Sequence, residues 1–151
     1  MNKALIEQLD YKAQQWLYKA IARMVLADHK VEPTEIRDFK MAMSKLTGSS
    51  DERKIKEWLT HPDFMAPLKP MHGLNPAHGW IIFSEVAQVA ASDADLHGEE
   101  EEFLKHVIGA LGIPQDKSEA LVKWTKKLAH VKSEEASFKA HLGELFPGNR
   151  A

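Results

Sequence analysis

Displaced by 65 positions, the sequence falls into register with itself: Ala22 meets Ala87, Met24 meets Val89, Asp28 meets Asp93 and Val31 meets Leu96. The match continues through Glu35 and Glu100, Phe39 and Leu104, and Leu46 and Leu111. Both copies carry apolar residues three and four apart on either side of a short polar loop, which is the spacing of one helix face. Each unit therefore reads as helix, acidic loop, helix, over about residues 18–48 and 80–113. Two copies suggest a pseudo-two-fold pair rather than a solenoid. In each, an Asp closes one helix and a Glu seven residues later stands in the first turn of the next, so two carboxylates converge on each loop.

The rest of the chain extends this pattern. Leu5, Leu9, Trp16, Leu17, Ile21 and Met24 predict one long helix from Ala4 to Ala27, with no Pro or Gly to interrupt it. Pro33 can open a second helix at no cost in hydrogen bonds, and Gly48 ends it. Ser50 and Asp51 can cap a short helix containing Ile55, Trp58 and Leu59, which His61-Pro62 terminates. Four prolines and two glycines between residues 60 and 79 make this the one long connection. Asn75-Pro76 then opens a helix that is apolar on most sides through Trp80, Ile82, Phe83, Val86 and Val89, as a central helix should be. Gly98 to Leu111 forms another and ends at Gly112. Beyond Pro114, one helix carries Leu121, Trp124 and Leu128, and a last one starts at Ser133 and carries Phe138, Leu142 and Leu145. The expected fold is an all-α, single-domain bundle of about seven helices over residues 1–151, containing the internal repeat.

Composition narrows what such a bundle does. With 44% hydrophobic and 28% charged residues the chain has globular character. A net charge of -2 gives no field for capturing phosphate backbones, so nucleic acid is not an expected partner. The absence of Cys removes disulfides, thiolate nucleophiles and Cys-built metal sites. The first ten residues contain Glu7 and Asp10 and lack the features of a secretory signal. The longest apolar stretch, Trp80 to Ala91, is interrupted by Ser84, Glu85 and Gln88 and falls short of the roughly 18 residues of a membrane span. These features together predict a cytoplasmic protein without membrane insertion.

The stretch from Leu26 to Glu35, Leu-Ala-Asp-His-Lys-Val-Glu-Pro-Thr-Glu, resembles the Ala-Asp-Gly-x-apolar-x-Pro-x-Glu signature of the TerB-like, tellurite-resistance family. Ala91 to Glu100 resembles its second copy, and the similarity runs from about Tyr18 to Ile113. His29 and Ala94 stand where the signature has glycine. The resemblance implies an all-helical bundle, acidic loops that bind divalent cations, and a bacterial stress-response role without enzymatic activity.

Six carboxylates, Asp93, Asp95, Glu99, Glu100, Glu101 and Glu102, follow one another with no Lys or Arg among them. Acids in a first helical turn complement the macrodipole by about 0.3 to 1 kcal/mol each, which accounts for the four Glu. Asp93 and Asp95 precede the helix and add repulsion that a hard cation held by several oxygens would relieve. The candidate metal ligands are Asp93, Asp95 and Glu100, with His97 as an optional fourth; Asp28, Glu32 and Glu35 form the poorer counterpart, part of whose charge Lys30 takes up. Ca, Mg, Mn and Zn are the ions considered. Asp93 to Gly98 follows the opening of an EF-hand loop, but Leu104 falls where a bidentate Glu is needed.

Other constellations favour structural readings. Met65 and Met71 are expected to pack, and His61, His72 and His78 to face water, since no two have spacing that would preorganise a metal site. Glu102 and His106 read as a surface pair. Lys117, Lys123, Lys126, Lys127 and Lys132 read as a solvated helix face. The motifs of metalloproteases, di-iron bundles, phosphate-binding loops and serine hydrolases are absent. The functional expectation is a non-enzymatic stress or tellurite-resistance protein acting through protein partners or self-association, with cation binding at its acidic loops. The alternatives are a metal-dependent hydrolase using Asp93, Asp95 and Glu100, and a purely structural interaction module.

Overall fold

A computed structural model describes residues 2–27, 33–48, 51–62, 66–92, 96 and 98–149. Its helices are α1 (Lys3–Ile6), α2 (Tyr11–Val25), α3 (Pro33–Thr47), α4 (Glu52–Leu59), α5 (Pro76–Ala90), α6 (Gly98–Ala110), α7 (Gln115–Ala140) and α8 (Leu142–Leu145), followed by a 3-10 turn, Pro147–Asn149. No strand occurs among the described residues. The protein is thus an all-α helical bundle.

Two helix boundaries differ from the expected ones, each for a local reason. The long first helix divides into α1 and α2 because Asp10 is an N-cap: its side chain accepts the Ala13 N–H at 2.8 Å. The Gln14 amide secures the break from the other side by donating to the Leu9 carbonyl at 2.8 Å. Toward the C-terminus the two expected helices are one. Ser133 does not open a new helix, since α7 runs through it to Ala140, supported by Lys123–Glu119 at 3.1 Å and Lys139–Glu135 at 2.9 Å, both one turn apart. The real break falls at His141, where φ is -122° and ψ is 37°.

α5 is the centre of the core, with Ile82, Phe83, Val86, Ala87 and Ala90 all at most 1% exposed. It packs on α2, whose Leu17, Ile21, Met24 and Val25 are equally buried, and α6 and α7 close the other sides. α3 lies against α2 and contributes Ala42 and Met43. α6 ends at Gly112, whose φ of 78° is cheap only without a Cβ, and the Ile113 N–H then closes on the Ile108 carbonyl at 3.2 Å.

The long connection between α4 and α5 is strapped down at three points. The Trp16 indole donates to the Lys69 carbonyl at 2.7 Å, the Arg23 guanidinium to the Ala66 carbonyl at 2.7 Å, and the Met71 N–H to the Ala110 carbonyl at 2.8 Å. Leu68 is buried and Met71 packs on the core, while His61 and His72 face solvent. Among the described residues no helix is long and apolar enough to cross a membrane.

Candidate functional site

The acidic loop between α5 and α6 carries the expected site, and Asp93, Asp95 and His97 lie outside the described residues, as do Asp28 and Glu32 of the other loop. Glu35 falls in the first turn of α3, with its side chain outside the description. Glu100 is described, and it differs from its neighbours. It is 2% exposed, because it stands one turn ahead of Leu104 and two ahead of Ile108 on the stripe that α6 turns to the core. Glu99 and Glu102 face solvent, and Glu101 bridges α6 to α7 through Lys126 at 3.2 Å. The macrodipole argument therefore suits Glu99, Glu101 and Glu102, whereas a buried carboxylate requires compensation of its own. Among the described residues no group of three metal-ligating side chains comes together.

The surface readings hold in part. Glu102 pairs with Lys105 at 3.4 Å, and His106 lies beside the Phe103 ring at 6.3 Å. Lys117, Lys123, Lys126 and Lys127 are exposed, but Lys132 turns inward and donates to the Gln88 carbonyl at 2.9 Å.

Lys132 points to a second feature. A cavity of about 710 Å³ opens between α5, α7 and the segment before α1, lined by Asp38, Trp80, Ser84, Glu85, Trp124 and Lys132, among others. Ser84, Glu85 and Gln88, the polar residues that interrupt the otherwise apolar α5 stretch, line it together with Ser92, just beyond the helix end. Their spacing of one and four residues puts them along one side of the helix, continuous with Trp80. The sequence carries this stripe in plain view, but a helix read only for its apolar face or as a membrane candidate treats these residues as interruptions. Asp38 and Lys132 join them only through the packing of α3 and α7.

Glu85 is the deepest charged group of the cavity at 5% exposure, and its two carboxylate oxygens accept the Asn2 N–H, each at 3.3 Å. Burial pushes its pKa above the usual carboxylate value; the Asn2 amide and then the charge of the N-terminal ammonium oppose the rise, Asp38 adds to it and Lys132 opposes it. Burial lowers Lys132 in turn. Tyr18 is raised, first by burial and then by Glu7 and Glu85. The aromatic wall is a triad, with Trp80 5.4 Å from Trp124 and 5.7 Å from Phe83 between ring centroids.

A carboxyl whose folded pKa is raised contributes stability fully present below its unfolded pKa and lost as pH rises through the folded value. Glu85→Gln is therefore expected to raise the thermal midpoint at neutral pH by about 2 to 4 °C, corresponding to about 1 kcal/mol. The difference from wild type should vanish once the pH falls below the ordinary carboxylate range. A gain that persists at low pH would mean that charge burial is not its source.

Compared with known protein families, curated proteins and solved structures, the chain matches none.

Proposed function

We propose that this chain is a non-catalytic, TerB-like stress-response domain of the tellurite-resistance kind, in which the loop between α5 and α6 binds a divalent cation and the domain acts through protein contacts. The observation that carries the cation site is the burial of Glu100 at the head of α6. A carboxylate on the core stripe, next to a loop containing Asp93 and Asp95, is where a hard cation would gather oxygen ligands. The internal repeat accords with this reading: Ala22 and Ala87 are both fully buried, and Met24 and Val89 are 1% and 2% exposed. Protein contacts are supported by Val131, Phe138, Leu142, Leu145 and Phe146, each about half exposed within residues 131–146.

Thermal unfolding in EDTA, then in millimolar calcium, magnesium, manganese or zinc, tests the site. A cation at a hundred times its dissociation constant adds about 2.7 kcal/mol to the native state, and the midpoint should rise accordingly. Glu100→Gln should remove most of that rise. An unchanged midpoint with every cation, or a rise that Glu100→Gln leaves intact, refutes this assignment.

A further inference from the structure

We infer that the cavity beside α5 binds a small organic cation, an alkylguanidinium or alkylammonium group, with Glu85 as its counter-ion and Trp80 and Trp124 as its aromatic wall. This site is distinct from the acidic loop and does not depend on cation binding there.

The argument begins with α5. A central core helix normally has no use for a polar stripe, yet Ser84, Glu85 and Gln88 run along one side of it and, with Ser92 just beyond its end, line an open space rather than another helix. That space, about 710 Å³, lies within the size range of small-molecule sites. Its ionisable lining is two carboxylates, Asp38 and Glu85, against one ammonium, Lys132, whose Nζ already donates to the Gln88 carbonyl. The balance is one negative charge, so the ligand it suits is positive. Glu85 is 95% withdrawn from solvent and receives a hydrogen bond from the Asn2 amide, which leaves its charge without a cation of its own sign complement at contact distance among the described residues.

The chemistry of the walls separates organic cations from metal ions. A hard cation collects about six to eight oxygens, and indole rings supply none. A guanidinium or ammonium group, by contrast, is held by a carboxylate on one side and an aromatic face within about 6 Å on the other. Trp80 is 51% exposed although it belongs to the central helix, and with Trp124 it presents ring surface beside the Glu85 carboxylate, with the apolar Leu5 and Val89 available to an alkyl chain.

The test is isothermal titration of the full chain with butylguanidinium, with its neutral isostere butylurea and with a capped arginine peptide. Butylguanidinium should bind saturably with a dissociation constant below about 10 mM, and butylurea at least tenfold more weakly. Glu85→Gln and, separately, Trp80→Ala should each weaken butylguanidinium at least tenfold, while Glu99→Gln, on the exposed head of α6, should not. Circular dichroism of each variant establishes that it is folded, and Trp80→Ala changes a half-exposed side chain rather than the core. Tighter binding of butylguanidinium than of the peptide assigns the site to a free small ligand; the reverse assigns it to an arginine side chain of a partner, and both support the cation site. No binding of either cation, equal binding of butylurea, or full binding by both Glu85→Gln and Trp80→Ala overturns it.

Discussion

Phe83→Ala is expected to lower the unfolding free energy by about 3 to 5 kcal/mol, the cost of deleting a buried aromatic ring and leaving a cavity behind. Phe83 is 1% exposed in the middle of α5 and is the largest fully buried side chain among the described residues. Its ring also stands 5.7 Å from Trp80 and 6.0 Å from Trp124, so its loss removes the support of both indoles. For a domain of this size the thermal midpoint should fall by about 6 to 20 °C. Phe83→Leu keeps most of the volume and should cost less than about 1.5 kcal/mol. Urea denaturation of the two variants checks this. A loss below about 1.5 kcal/mol in Phe83→Ala would mean that α5 is not the centre of the core.

The second large effect compares one chemical change at two places. Leu104→Ala should cost about 3 to 5 kcal/mol, whereas Leu145→Ala should change stability by no more than about 0.5 kcal/mol. Leu104 is fully buried on the core stripe of α6; Leu145 is 48% exposed on α8. Leu104 also lies one turn beyond Glu100, so its truncation loosens the head of α6 and should weaken any cation-induced stabilisation together with the fold. Equal costs for the two substitutions would show that the C-terminal segment packs in solution as firmly as the core.

That pair also marks where helical periodicity stops being informative. Leu104 and Leu145 both occupy apolar positions of helical segments, and spacing alone ranks them alike. What separates them is whether another element lies opposite. α3, α5 and α6 were legible to the residue at their starts because Pro33, Pro76 and Gly98 mark them, and Gly48 and Gly112 lie just past the ends of α3 and α6. The division of α1 from α2 was not, because Asp10 is one acid among several until its side chain is seen to cap Ala13. The union of residues 115–140 was missed for the opposite reason: Ser133 resembles a cap, but the ion pairs on either side of it favour a continuous helix.

Of the acidic site, the sequence made the carboxylates visible and the structure distinguishes Glu100 from the other Glu of its turn by burial. Asp28, Glu32, Asp93, Asp95 and His97 lie outside the described residues. The cavity was half legible. Its α5 stripe can be counted directly, but Asp38 and Lys132 are distant in sequence, and only tertiary packing brings them to Glu85.

The connection strapped across α2 and α6 has a thermodynamic side as well. Pro62, Pro67, Pro70 and Pro76 lie in or at the ends of this segment, the last of them opening α5. Each also fixes one backbone angle in the unfolded chain, and the residue before each loses access to much of the helical region. The segment therefore has fewer conformations to lose when it docks than a chain of ordinary residues, for which ordering costs about 1 to 2 kcal/mol per residue. Its immobilisation is in part accomplished before folding begins, so a few hydrogen bonds from Trp16, Arg23 and Met71 suffice to hold it.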